Sequence, residues 1–369
     1  MEGLLTIRSN KAQNCMKNVF DERQDIYNSA TYMGLATSRA LGLFADLTGF
    51  LFLSTIICYF FFFAKGEFAG NVGLAITQSF LLTGILQRGI CNWAELETKM
   101  TNVQRVLEFE TIESETDSGN RPKEWPNKGK IEFRKVSLRY KADSNNVLND
   151  LNFTIEPQQK IGIVGRSGAG KSSIIAVIFK LYDVEGQILI DDVDIRNVSN
   201  EYIRNSISII PQDPILFPGT LRDNVDPKGK STDADIWDAL EKVEMKSTIS
   251  NFKKGIDTEI PEGGSIFSAG QRQLICFARS ILKHNNILVL DEPTANMDPQ
   301  TDALIQKIVK SRFENCTVLT IAHRLSSVMN ADKIMVIDSG RVIEYDDPNV
   351  LKANSDSLFH RMLKRAGLI

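Results

Sequence analysis

Eight consecutive residues, Gly165-Arg-Ser-Gly-Ala-Gly-Lys-Ser172, match the spacing G-x-x-x-x-G-K-[ST]. Gly165, Gly168 and Gly170 let the backbone curl until several N–H groups point at one anion, with Arg166, Ser167 and Ala169 between them. The Lys160-Ile-Gly-Ile-Val164 run reads as a buried strand, and Ser172 to Leu181 as an amphipathic helix whose N-terminus adds partial positive charge. Lys171 is placed to reach the outer phosphates of a nucleotide, the Ser172 hydroxyl to ligate Mg²⁺, and Ser173 to extend the cradle. The expected ligand is a nucleoside triphosphate.

Transfer of a phosphoryl group to water needs a metal clamp, a group that orients or deprotonates the water, and a sensor of the terminal phosphate. The apolar run Ile287-Leu-Val-Leu ends in Asp291-Glu292, which supplies the first two. Asp291 falls beside the metal, and Glu292 where the attacking water sits. Glu292 is read as the general base, with a merely supporting acid as the alternative.

These groups need a scaffold of strands and helices. Ile131–Leu138 alternates as a half-buried strand and Leu148–Ile155 follows as another. Buried runs recur at 188–190, 207–210, 287–290 and 318–321, several separated by helical patterns, as an α/β domain requires. Ser339-Gly340 marks a final hairpin, and a helical tail follows from Asp346.

The first hundred residues have a different character. Mean hydropathy is −0.14 overall, yet Leu47–Ala64 holds no charged residue and includes Phe60-Phe-Phe-Phe63. As helix it is about 27 Å long, close to the roughly 30 Å of a bilayer's hydrocarbon. Residues 69–87 form a second uncharged stretch, interrupted by Asn71, Thr77, Gln78 and Thr83. Arg23, Arg39, Arg88, Lys99 and Arg105 lie outside both ends, so the hairpin is expected to cross a lipid bilayer with both ends cytoplasmic. A buried helical hairpin in a soluble protein is the alternative. Residues 1–43 read as one long cytoplasmic helical segment, and the second span continues as helix to about Glu108. The expected division is 1–108 membrane part, 109–129 acidic linker and 130–369 nucleotide-binding domain.

Composition narrows the function classes. A formal net charge of −3 offers no electrostatic case for nucleic acid. Five scattered cysteines with no C-x-x-C pair imply neither a disulfide framework nor a zinc site. Met1-Glu-Gly-Leu-Leu lacks the basic start and apolar run of a signal peptide.

Phe267-Ser-Ala-Gly-Gln271, followed by Arg272-Gln-Leu274, resembles the signature of ATP-binding-cassette (ABC) transporters, Leu-Ser-Gly-Gly-Gln in consensus. Phe267 and Ala269 replace Leu and Gly, and both departures resemble the second nucleotide-binding domain of subfamily C, the multidrug-resistance-associated type. The stretch Pro214–Pro227 resembles the same domain, and Gly3–Arg8, Phe20–Asp25 and Met100–Arg105 resemble the segments around the last two spans. The resemblance implies an α-helical membrane hairpin with cytoplasmic extensions, followed by an α/β P-loop NTPase domain of the ABC ATPase type. It covers only the last third or so of a full transporter.

Several roles follow from the resemblance alone. Tyr140 matches the aromatic that stacks on adenine, and Gln212 the glutamine that contacts Mg²⁺ and responds to the membrane part. His323 matches the switch histidine at the γ-phosphate, and Ala295–Asp298 the loop that crosses the dimer interface. Ser268, Gly270 and Gln271 would close over the ATP of a second nucleotide-binding domain, in a homodimer or in the other half of a full transporter. The implied activity is Mg-dependent ATP hydrolysis coupled to export of organic anions or conjugates, in a plasma or organelle membrane. The alternatives are a soluble ABC ATPase, and a truncated, regulatory or channel-like protein that binds ATP without transport of its own.

Overall fold

The computed structural model describes residues 3–63, 69–115, 117, 119–141, 145–293, 299–322 and 324–369. The turn expected at 65–68, the interface loop at 295–298 and His323 lie outside the described residues. Two compact units divide between Glu115 and Thr116.

The first unit is helical: α1 (Leu4–Ser9), α2 (Gln13–Phe62) and α3 (Ala69–Glu110). The continuous helix expected over 1–43 is broken at 10–12. The Asn10 side chain caps the Thr6 carbonyl at 3.0 Å, and Lys11 adopts the left-handed conformation at φ 53°, which an L-residue enters only at a local stop. α2 and α3 pack together through small residues. Ala45 and Gly49 are buried, and a methyl group at Gly49 would meet Thr83 Cγ2 at 2.0 Å, so only glycine permits this approach. Hydroxyls along both helices return to backbone carbonyls of their own helix, as at Thr55, Thr77 and Thr83, which removes the cost of an unpaired donor in an apolar setting. Among the described residues one helix, Gln13–Phe62, is long and apolar enough to cross a membrane. The second expected span, 69–87, lies within α3 and carries Asn71, Thr77, Gln78 and Thr83 among its apolar residues.

The second unit is built on two sheets. In chain order it runs β1 (Ile131–Leu138), β2 (Leu148–Ile155), β3 (Lys160–Gly165), α4 (Lys171–Ile178), β4 (Glu185–Ile190), β5 (Val193–Asp194), α5 (Asn200–Ser206) and β6 (Ser208–Ile210). A helical region follows, with β7 (Gly219–Thr220), α6 (Leu221–Val225), α7 (Asp233–Lys242), α8 (Lys246–Ser250), β8 (Glu259–Ile260) and α9 (Ala269–Lys283). The chain closes with β9 (Ile287–Asp291), α10 (Pro299–Arg312), β10 (Thr317–Ile321), β11 (Lys333–Asp338), β12 (Arg341–Asp346), α11 (Pro348–Ala353) and α12 (Leu358–Arg365).

The main sheet has the order β12-β11-β3-β10-β9-β6 and is parallel except for the β11–β12 hairpin. Its central strands are buried on both faces, hence their unbroken Ile, Val and Leu runs. The run at 188–190 instead belongs to a separate antiparallel sheet, β2-β1-β4-β5. One core lies between the two sheets, with Phe133 stacked on Phe153 at 4.4 Å. A second core sits between the main sheet and the helical region, where α9 buries Leu274, Ile275, Phe277 and Ala278.

Candidate nucleotide site

Register decides which loops meet. Ile321 of β10 stands opposite Ile163 of β3 and opposite Asp291 of β9, and Leu290 pairs with Ile210 of β6. The segments after Gly165, Ile321, Asp291 and Ile210 therefore leave the same carboxyl edge of the sheet, where open α/β sheets bind ligands. Four stretches far apart in sequence are assembled by strand order alone.

The loop 165–170 is shaped by its glycines. Gly168 and Gly170 have φ of 78° and 103°, and a methyl group at Gly165 would stand 2.2 Å from the Ile337 carbonyl. The Gly340 N–H donates to the Ala169 carbonyl at 3.1 Å, so the β11–β12 turn braces the loop. α4 begins directly after it, and the amides of its first turn have no partner within the helix.

Lys171 is only 6% exposed. Its ammonium donates to the carbonyls of Gly165 and Arg166, each at 3.0 Å. Burial holds its pKa below the ordinary lysine value, and the charges of Glu292 and Asp291 oppose that shift. The cation of the loop and the acids at the end of β9 thus share one electrostatic environment. Ser172 faces solvent. Ser173 is buried, and its Oγ lies 2.9 Å from the Tyr140 hydroxyl. Tyr140 is 42% exposed and packs edge-on against Tyr182 at 4.7 Å, which leaves ring surface available.

Glu292 is 8% exposed and holds φ at 49°, a conformation uncommon for a glutamate. Its N–H is tied to the Ile321 carbonyl at 3.0 Å. Strain held in place by a neighbouring strand fixes the direction of the side chain. Gln212 is exposed in the loop after β6. Gln273 of α9, wholly buried, anchors the start of that loop by donating to the Pro211 carbonyl at 3.0 Å.

Ser268 and Gln271 play a local part. The Ser268 hydroxyl accepts from the Gln271 N–H at 3.2 Å, and the Gln271 side chain accepts from the Ser268 N–H at 3.0 Å, a capping box that starts α9. Among the described residues neither they nor Gly270 bond to the loop 165–172. A methyl group at Gly270 would meet Thr301 Cγ2 at 3.0 Å, so α10 presses on this turn. Phe267 is buried edge-on against Phe252, ring centroids 5.8 Å apart, so the larger side chain at that position fills core volume. Residues missed by sequence reasoning are Tyr182, Gly340 and Gln273. Only the turn character of Gly340 is visible locally, and nothing in spacing links it to Ala169.

Residues 148–295 match the family model described as ABC transporter. The second unit carries an ABC transporter domain. It is 46% identical over its full length to the probable multidrug resistance-associated protein lethal(2)03659 of Drosophila melanogaster, covering 27% of that protein. It is 44% identical, again over 100% of its length, to ATP-binding cassette sub-family C member 4 of Mus musculus, covering 28%. The ABC chain thus spans about a quarter of the length of the curated relatives it matches. The solved structure of a bacterial Atm1-family ABC exporter with ATP bound superposes with a TM-score of 0.84 at 27% identity, over 99% of this chain and 65% of that one. The subfamily C character implied by Phe267 and Ala269 agrees with these relatives, and the second unit is an ABC ATPase domain that binds ATP.

Proposed function

We propose that this ABC chain is the hydrolytic and partial membrane segment of an exporter that uses ATP to move organic anions or conjugates across a bilayer. The observation that carries the reading is the shared environment of Lys171, Asp291 and Glu292 at one sheet edge. Lys171 exchanges its bonds to loop carbonyls for phosphate oxygens, and the helix amides after Gly170 take the remainder. Tyr140 stacks on the base. Ser172, Gln212 and Asp291 would hold Mg²⁺, and three oxygen donors of this type suit a hard cation that keeps waters and phosphate oxygens as its other ligands. When bound, the ion offsets charge building on the phosphate oxygens. Glu292 accepts the proton of the attacking water, and His323 senses the terminal phosphate.

Among the described residues Ser268, Gly270 and Gln271 make no bond to this chain's own loop, in keeping with a role at the ATP of a second nucleotide-binding domain. Binding of ATP then favours the closed pair, and hydrolysis releases it. The apolar length of α2 supports a chain seated in a membrane, and on this reading the nucleotide-binding domain is cytoplasmic. Neither 109–129 as a linker nor nucleic acid as a partner enters the chemistry.

Two measurements test the reading. Steady-state Mg-ATPase activity per chain is expected to rise with protein concentration, because each site is completed by a partner. A rate per chain that stays flat across the dilution series excludes a shared site. Tyr140→Ala is expected to weaken binding of a fluorescent ATP analogue about tenfold, the worth of one stacked base, and Tyr140→Phe to leave it unchanged. Equal affinities for all three proteins would remove Tyr140 from the adenine.

A further inference from the structure

A second cavity of about 590 Å³ opens in the nucleotide unit between α12 and the loops at the carboxyl edge of the sheet. Arg166, Arg324, Arg361 and Arg365 line it, together with the apolar side chains of Leu358 and Met362, and among the described residues no carboxylate takes part. Positions 358, 361, 362 and 365 form one stripe of α12, so the helix period delivers two guanidinium groups and two apolar groups to the same wall.

Several other arginines of this unit are engaged by carboxylates or carbonyls. Arg121 pairs with Glu201, Arg139 with Glu185, and Arg222 with Asp233 and Asp257, while Arg279 donates to the Ile215 carbonyl. Among the described residues the four cavity arginines form no ion pair and no side-chain hydrogen bond. Four exposed like charges around one concave surface raise the local potential and concentrate anions there. Guanidinium forks recognise planar or tetrahedral oxyanions through paired hydrogen bonds. A bare inorganic anion has no use for the apolar wall, whereas a ligand with an apolar body gains from covering it.

We propose that this cavity binds an organic anion carrying two or more negative charges on an apolar body, at a site separate from the nucleotide. Two of its arginines belong to the nucleotide loops: Arg166 lies within the phosphate loop, and Arg324 follows His323. Occupancy is therefore felt at the ATP site. The binding site itself does not rest on the hydrolytic reading above.

The test uses the full chain in a non-ionic detergent at about 0.15 M salt, where exposed charges more than about 8 Å apart are screened. The probe is pyranine, a pyrene bearing three sulfonates, followed by fluorescence anisotropy. Saturable binding is expected in the parent. Arg361→Glu/Arg365→Glu is expected to weaken it at least tenfold. Lys310→Glu/Lys364→Glu makes the same change in net charge outside the cavity and is expected to leave it unchanged. Where charge reversal impairs folding, Arg361→Ala/Arg365→Ala supplies the comparison. Absence of saturable binding, or equal loss in the lysine pair, overturns the proposal. ATP affinity is measured in parallel, so binding of pyranine without binding of ATP leaves this site standing while the nucleotide reading falls.

Discussion

Glu292→Gln is expected to lower steady-state ATP hydrolysis by about 10²–10⁴-fold, the usual worth of a positioned general base, while ATP binding persists. The substitution keeps size and burial but removes the proton acceptor. Glu292 is well suited to show this cleanly. Its backbone is pinned to β10 through the Ile321 carbonyl, so the amide enters an unchanged frame. Phosphate release should collapse, whereas titration with a fluorescent ATP analogue should give an affinity close to the parent's. A variant that releases phosphate at the parental rate would show that Glu292 only supports its neighbours.

Lys171→Met is the second large effect, and it falls on binding. Removing one partner of a buried, charge-assisted pair costs about 2–5 kcal/mol, so ATP affinity should drop by at least about 25-fold, at one decade per 1.4 kcal/mol. Stability should move differently. Burial depresses the Lys171 pKa, so the unfolded state holds the extra proton between the depressed value and the ordinary one. Over that window the parent gains stability as pH rises, and below it the buried charge remains a cost. Lys171→Met removes both the cost and the slope. Melting temperature without nucleotide should therefore not fall, and its rise with pH over that window should flatten. A variant with parental ATP affinity would end the assignment of Lys171 to the phosphates.

What could be read from the chain was mostly local chemistry. The phosphate loop is a contiguous pattern whose glycines state their own backbone needs, and β3 and α4 flank it as the pattern requires. Asp291-Glu292 was legible because a buried strand ends there. The assembly of the site was not, since it depends on strand order: β10 intervenes between β3 and β9, and no spacing encodes that. The strand at 188–190 looked like the parallel ones because the half-buried Leu189 is as apolar as the buried Ile188 and Ile190 on either side of it. The stop at Asn10-Lys11 was missed because its cause is a side-chain cap in an otherwise helical stretch. Gln273 and Gly340 act across long separations, where sequence is silent.

The position of β3 has a consequence for how the protein is made. Both of its neighbours, β10 and β11, lie more than 150 residues downstream, as does the turn whose Gly340 braces Ala169. During synthesis the chain emerges from its N-terminus, at about 5–20 residues per second. The phosphate loop therefore leaves the ribosome well before either of its supports exists. For that interval β3 is an apolar strand with two open edges, the kind of segment that invites mispairing. Message changes or truncations that delay the last forty residues should act on yield rather than on catalysis. The nucleotide loop is translated early and becomes a loop late.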